Sequence, residues 1–220
     1  MSELKNLIIT LSPHIVGISE TWLKKDVIPT LQNYKIIRKD REEIRGGGLA
    51  FLIREDLKFF QLSIQNYAGG NLEVLGIKIA VNDIWANILL CYNPCKKIEK
   101  AEFDHYFQQI ESPQLIMGDF NARHQFWNPS ITKNMENYTG KTLLESFITQ
   151  PFSLITPPDL PMRIDPYSGK ASTLDLVFGS GVFSIPVSVS VKNNIGGDHL
   201  PVLIEYDNTF EFEHISRRPR

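Results

Sequence analysis

The chain has 220 residues, of which 42% are hydrophobic and 22% charged, with 23 basic against 25 acidic side chains and a formal net charge of -2. Such a composition suits one α/β domain able to bury a real core, and the near balance of charge excludes the concentrated basic footprint of a simple nucleic-acid binder without excluding an enzyme that keeps acidic ligands on its working face. No positively charged leader and no run of about 18 apolar residues occurs, so the chain is expected to be neither secreted nor membrane-spanning.

Taken in chain order, residues 4–11 space apolar groups on one helical face, and Pro13 ends that run. Ile15-Val16-Gly17-Ile18-Ser19-Glu20 is a short apolar strand that delivers a carboxylate at its end. Residues 35–38 precede a charged turn, and Gly46-Gly47-Gly48 then leads into an apolar strand at 49–54. The triple glycine lacks the Lys and Ser/Thr of a phosphate-binding loop and precedes a strand where such a loop needs a helix, so it reads as a tight turn. Residues 72–81 and 84–92 predict a hairpin around Asn82-Asp83. Cys91 and Cys95 are too few for a disulfide scaffold or a zinc site and read as reduced core or near-core thiols.

Residues 99–110 place Phe103, Phe107 and Ile110 on one helical stripe that covers a sheet. Pro113 separates this helix from a buried strand at 114–118, which runs directly into Asp119-Phe120-Asn121. A helix at 142–147 and strands at 172–178 and 187–191 follow, and Gly196-Gly197-Asp198-His199 opens a last strand at 200–206. Many β-rich segments with at least three helices predict a layered α/β sandwich over a barrel or a bundle. No internal repeat divides the chain, so one domain is expected over 1–210, with a basic tail over 211–220.

Glu20, Asp119, Asn121, Asp175, Asp198 and His199 each stand beside an apolar strand although they are spread along the chain. Burying these acids separately is costly. Gathering them around a hard divalent cation removes that cost and creates a centre that stabilises charge on a phosphate, with His199 as proton carrier and Asp175 fixing its tautomer. Spacing alone leaves a catalytically silent α/β domain as the alternative.

Four segments in order resemble the endonuclease/exonuclease/phosphatase superfamily: Ile18-Ser19-Glu20-Thr21-Trp22, Met117-Gly118-Asp119-Phe120-Asn121-Ala122, Ser172-Thr173-Leu174-Asp175-Leu176 and Gly197-Asp198-His199. Glu20-Thr21-Trp22-Leu23, the Arg45-Gly46-Gly47-Gly48 turn, Asn121-Ala122-Arg123-His124 with Trp127, and Ser172-Thr173-Leu174-Asp175 resemble more narrowly the apurinic-like endonuclease domain of non-LTR retrotransposon proteins of the jockey or R1 type. The resemblance implies a four-layer, DNase I-like α/β sandwich of two packed mixed sheets with the active site at the strand-end rim. It implies a metal-binding Glu20, a phosphate-contacting Tyr92, and an Asp119 that orients the attacking water. Asn121 would bind the phosphate, Asp175 would pair with His199, and Asp198 would lie near the metal.

The activity implied is a Mg²⁺-dependent DNA endonuclease, with Mn²⁺ as an alternative ion, that leaves 3′-hydroxyl and 5′-phosphate ends for priming reverse transcription. Its partners would be double-stranded DNA and the reverse transcriptase domain of the same polyprotein, its place the nucleus, with no membrane partner. Arg45, Arg123 and Lys133 are candidate DNA contacts on surface loops. Relatives begin with a strand and a Trp-Asn-x-Arg-Ser segment that would lie ahead of Met1. One sheet is therefore expected to lack its first strand, and metal binding and activity to be weakened. A noncatalytic module that binds DNA or protein on the same sandwich is the competing reading.

Overall fold

The computed structural model describes residues 2–27, 29–41, 46–81, 84–183 and 187–207. The tail expected from residue 211, the Asn82-Asp83 turn and Arg45 lie outside the described residues. The chain opens with helix α1 (Ser2–Leu11), followed by β1 (Ile15–Ser19), β2 (Tyr34–Lys39) and β3 (Leu49–Arg54). These strands form an antiparallel sheet in the order β1-β3-β2. β3 sits in the middle and is buried on both faces: Leu49, Phe51 and Ile53 point one way, Ala50 and Leu52 the other. Such double burial explains why it reads as a continuous apolar run.

Next come β4 (Phe59–Gln61), β5 (Glu73–Val81), β6 (Ile84–Tyr92), helix α2 (Lys100–Phe107), β7 (Gln114–Asp119), helix α3 (Tyr138–Phe147) and β8 (Ser153–Leu154). The short β9 (Arg163–Ile164) and β10 (Ala171–Ser172) form a hairpin, and β11 (Asp175–Gly179), β12 (Val187–Val191) and β13 (Val202–Tyr206) complete the chain. A six-stranded mixed sheet runs β4-β5-β6-β7-β11-β8, while β12 and β13 pair separately.

The six-stranded sheet is apolar on both faces. Leu89, Cys91, Ile116, Leu176 and Phe178 face α2 and α3, packing with Phe103, Phe107, Leu143 and Phe147. Ile88, Leu90, Leu115 and Val177 face the other way and join Phe51 and Ile53 of β3 with Val189 of β12. The expected sandwich with flanking helices is present, its second sheet layer built in two pieces, β1-β3-β2 and β12-β13. Truncating the fully buried Phe51 to Ala would cost about 3–5 kcal/mol.

The strand expected over 172–178 is instead two elements: Ala171–Ser172 pairs with β9, and Asp175–Gly179 pairs with β7. Between them Thr173 turns its hydroxyl to the Leu160 carbonyl at 2.9 Å, and the Leu174 carbonyl accepts from Phe120 N at 3.1 Å. These bonds carry the chain from the hairpin to the main sheet. Cys91 is buried as expected, whereas Cys95 is exposed, because the chain has already left the sheet and turns there with φ 57. Among the described residues no helix is long and apolar enough to cross a membrane.

Candidate active site

Strand register assembles the first part of the site. Glu73 lies opposite Tyr92 in the β5–β6 pair, Tyr92 opposite Asp119 in the parallel β6–β7 pair, and Asp119 opposite Asp175 in the antiparallel β7–β11 pair. Residues directly opposite share a face. The four polar side chains therefore form a row across one end of the sheet, on the face of Leu90, Met117 and Val177. Gly118 permits this approach: its φ is 145, and a Cβ there would fall 1.9 Å from the Cys91 carbonyl oxygen. The Gly-Asp order in the motif thus has a steric cause.

Past Asp119 the backbone turns sharply, with Asn121 at φ 46, a conformation Asn tolerates better than most residues. Asp119 Oδ1 accepts from Asn121 N at 2.9 Å, and Asn121 Nδ2 donates to the Asn93 carbonyl at 2.8 Å and to Asp119 Oδ2 at 3.1 Å. Asn93, fully buried, fixes the same turn from below. Its backbone N–H reaches the Asp119 carbonyl at 2.8 Å and its Nδ2 the Phe120 carbonyl at 2.9 Å. The sequence displayed Asn93 in the Tyr92-Asn93-Pro94 turn, but nothing in that turn announced a role in holding Asp119 and Asn121.

Glu20 arrives from the opposing layer, one residue beyond β1, at φ 54. A left-handed non-glycine residue costs about 1–2 kcal/mol. The cost is offset locally: Thr21 N donates to the Gly48 carbonyl at 3.2 Å and Trp22 N to the Gly47 carbonyl at 3.0 Å. Gly48 itself has φ 87, and a Cβ on it would meet the Thr21 hydroxyl at 2.7 Å. The triple glycine is thus a turn, as its sequence context indicated, and it also clamps the segment that carries Glu20. The Tyr92 hydroxyl donates to Glu20 Oε1 across the two layers. Burial, then the hydrogen bond and charge of Glu20, push the Tyr92 phenol up and keep it a neutral donor.

His199 closes the cluster. Its Nδ1 lies 2.9 Å from Asp175 Oδ2 and its Nε2 3.8 Å from Asp119 Oδ2, a hydrogen bond and a longer ion-pair contact respectively. Burial alone would lower the imidazole, but the hydrogen bond and charge of Asp175, joined by Asp119 and Asp198, outweigh it and push it up to about 9. Burial and the charge of Asp175 push the Asp119 carboxyl up to about 7, against the opposing pull of His199 and of the Asn121 N–H. The cluster thus holds a protonated donor next to a carboxyl poised near neutral pH.

Glu20, Tyr92, Asp119, Asn121, Asp175 and His199 are therefore neighbours, joined by hydrogen bonds, ion pairs or charge. Asp198 adds its charge to His199 from the rim of the cluster: its carboxylate is 44% exposed and bonded to Arg163 Nε at 2.9 Å. Arg123 lines a cavity of about 220 Å³ together with Arg163, Lys170 and Thr173. Lys133 is exposed in the short 3₁₀ turn Lys133–Met135, whose Met135 borders that cavity. Arg163 was not singled out from sequence, since a lone arginine after Met162 carries no pattern.

Among the described residues no three His, Cys, Asp or Glu side chains converge as a ready-made cation cage. The donor chemistry nonetheless fits Mg²⁺ or Mn²⁺, which take one or two carboxylates and complete their shell with water and substrate phosphate. The buried Asp119 carboxyl, destabilised by burial and by the charges of Asp175 and Glu20, is a group that a cation beside Glu20 would relieve.

Comparison with known proteins agrees with this geometry. The family described as endonuclease-reverse transcriptase matches residues 86–203, just over half of the chain. Among curated proteins, the probable RNA-directed DNA polymerase from transposon BS of Drosophila melanogaster is 23% identical over 213 residues, covering 94% of this chain and 22% of the relative. The corresponding protein from transposon X-element of the same organism is 27% identical over 163 residues, covering 73% and 17%. The chain spans about a fifth of the length of these relatives. Among solved structures, the endonuclease domain of TRAS1, a telomere-specific non-LTR retrotransposon, superposes with a TM-score of 0.71 at 14% identity, covering 93% of this chain and 91% of that one. An AP endonuclease from Archaeoglobus fulgidus gives a TM-score of 0.62 at 15% identity, covering 93% of each chain. On the family match and on its ordered motifs, the chain belongs to the endonuclease-reverse transcriptase family of the endonuclease/exonuclease/phosphatase superfamily, with relatives among probable RNA-directed DNA polymerases from transposons.

Proposed function

We propose that this domain is a divalent-metal-dependent DNA endonuclease that nicks double-stranded DNA to leave 3′-hydroxyl and 5′-phosphate ends. The observation that carries this reading is the Asp175–His199–Asp119 chain, at 2.9 and 3.8 Å, set against Tyr92, Asn121 and Glu20. Asp119, with its carboxyl raised toward neutrality, orients and deprotonates the attacking water, whose oxygen bonds to phosphorus as the P–O3′ bond breaks and the departing 3′ oxygen takes a proton from solvent. Asp175 fixes the His199 tautomer and sustains its protonated form, so that Nε2 donates to a phosphate oxygen as charge develops there. The Asn121 amide, now donating to the Asn93 carbonyl and Asp119, and the Tyr92 hydroxyl, now donating to Glu20, would each redirect a proton to the phosphate once substrate is bound. Mg²⁺ or Mn²⁺ held by Glu20 beside Asp119 would supply neutralisation of the charge on phosphorus-bound oxygens. Arg123 and Lys133, with Arg45, would touch the DNA backbone around the cut.

A nick ending in a 3′-hydroxyl suits target-primed reverse transcription by a polymerase domain of the same polyprotein, on nuclear DNA. The names of the transposon relatives support that role. Purified protein incubated with supercoiled plasmid and Mg²⁺ is expected to give open circles whose ends a DNA polymerase extends without prior phosphatase treatment. Asp119→Ala and His199→Ala should each reduce the rate by about 10²–10⁴. Nicking that is insensitive to both substitutions, or that persists in EDTA, would overturn the assignment.

A further inference from the structure

His199 sits on a turn between β12 and β13 that contains little to fix it internally. Gly196 has φ 97 and nothing within 4 Å of its Cβ position, and Gly197 meets there the backbone of His199 in the same turn, at 3.6 Å. The internal bonds of this turn are Asn194 Nδ2 to the Gly197 carbonyl at 2.9 Å and Gly196 N to Asn194 Oδ1 at 2.6 Å. Two adjacent glycines leave the backbone wide conformational freedom. A side chain that must stay on Asp175 therefore needs support from outside the turn.

That support comes from β9. Its backbone is bonded on one edge to β10 and on the other to the histidine segment: Ile164 N donates to the Asp198 carbonyl at 2.8 Å and Leu200 N to the Met162 carbonyl at 2.6 Å. Arg163 and His199 stand opposite each other in an antiparallel bridge. The Arg163 side chain adds a charged bond, Nε to Asp198 Oδ2 at 2.9 Å, and is itself only 23% exposed. Its other nearby acid is Asp165, 3.9 Å from a guanidinium nitrogen. Charge-assisted bonds of this kind are stronger and more directional than neutral ones.

We propose that Arg163 is a positioning residue for His199: by holding the Asp198 carboxylate it locks the glycine-rich turn so that the imidazole stays on Asp175 and within reach of Asp119. The inference rests on the endonuclease reading given above. It assigns Asp198 a structural partner in the arginine and makes the β9–β10 hairpin part of the machinery that aims the histidine.

The test combines kinetics with a readout that does not depend on cutting. In nicking assays with a short duplex, Arg163→Ala should lower kcat about ten- to a hundredfold, as expected for a reacting group displaced by about 1 Å. KM should stay within about twofold, because no uniform binding contact is lost. Arg163→Lys, which keeps a donor for Asp198, should recover part of the rate. The double variant Arg163→Ala/Asp198→Ala should be no slower than the slower single variant, since both act on one link. In ¹⁵N-edited spectra the His199 ring signals should shift in Arg163→Ala and return toward wild type in Arg163→Lys. A raised KM with unchanged kcat, additive losses in the double variant, or unmoved His199 signals would each overturn the proposal. A wild-type protein that does not nick would count against the endonuclease reading instead, with the spectra still deciding the role of Arg163.

Discussion

Tyr92, Asp119 and Asp175 reach the site from three hydrogen-bonded strands of one sheet, whereas His199 reaches it on a turn bonded to the short β9 and to Met162 just ahead of it. The first group inherits its geometry from the register and packing of the core, so displacing it means disturbing the whole sheet. The second is held by a few polar bonds near the surface, so it can be displaced while the core stays intact. Stability and chemistry should therefore separate at His199 and coincide at Gly118, the glycine on which the placement of Asp119 depends.

The largest effect is expected where the sheet itself carries the site. Gly118→Ala places a Cβ against the Cys91 carbonyl in a backbone region that side chains avoid, and strain plus overpacking should cost on the order of 3 kcal/mol or more. Urea denaturation measures this, and activity should fall with the folded fraction. A stable Gly118→Ala protein would mean that β7 is less tightly bound to β6 than its bonds indicate.

A smaller effect concerns protons. The folded-state value of His199, about 9, lies above its ordinary 6.5, so its contribution to stability is complete below 6.5 and is lost as pH rises through 9. Asp119, raised to about 7 from an ordinary 3.8, has the same sign: its contribution is present below 3.8 and is lost as pH rises through 7. In EDTA the melting temperature should accordingly fall between about pH 6.5 and 9. Asp119→Asn, which removes a buried charge, should melt a few degrees higher than wild type at about pH 8 while losing activity. A melting temperature that climbs over this range would contradict the charge balance described for the pair. The smallest effect is expected at the periphery: Lys133→Ala should raise KM for DNA by less than about threefold and flatten its salt dependence slightly, without changing kcat.

Much of this arrangement is legible in the sequence. The apolar runs that became β3, β6 and β7 are buried on both faces, and such strands declare themselves by composition. The aromatic stripe of α2 did so by helical spacing. The ordered motifs around Glu20, Asp119, Asp175 and His199 pointed to residues that the fold brings close together. What the residues could not express was pairing. Nothing in the pattern of 172–178 showed that the chain changes sheets at Thr173, because no glycine or proline marks the change and only the bonds to Leu160 and Phe120 reveal it. Nor did the residues around Asp198 reveal its arginine: the acid next to a site histidine suggested a place near the metal, and its carboxylate is bonded to an arginine 35 residues away. Asn93 was similarly silent, since a buried amide that ties two turns together looks like any turn residue.

The alignment of Tyr92, Asp119 and Asp175 across adjacent strands has a consequence for protein quality. In a sheet, sliding one strand by a single residue sends every side chain to the opposite face. A β11 paired one step out of place would point Asp175 toward α2 and α3 and strand His199 without its partner, even in a chain that had collapsed and gained its strands. Turnover would then report on alignment errors that bulk spectroscopy overlooks, and a preparation's specific activity becomes a count of correctly threaded molecules.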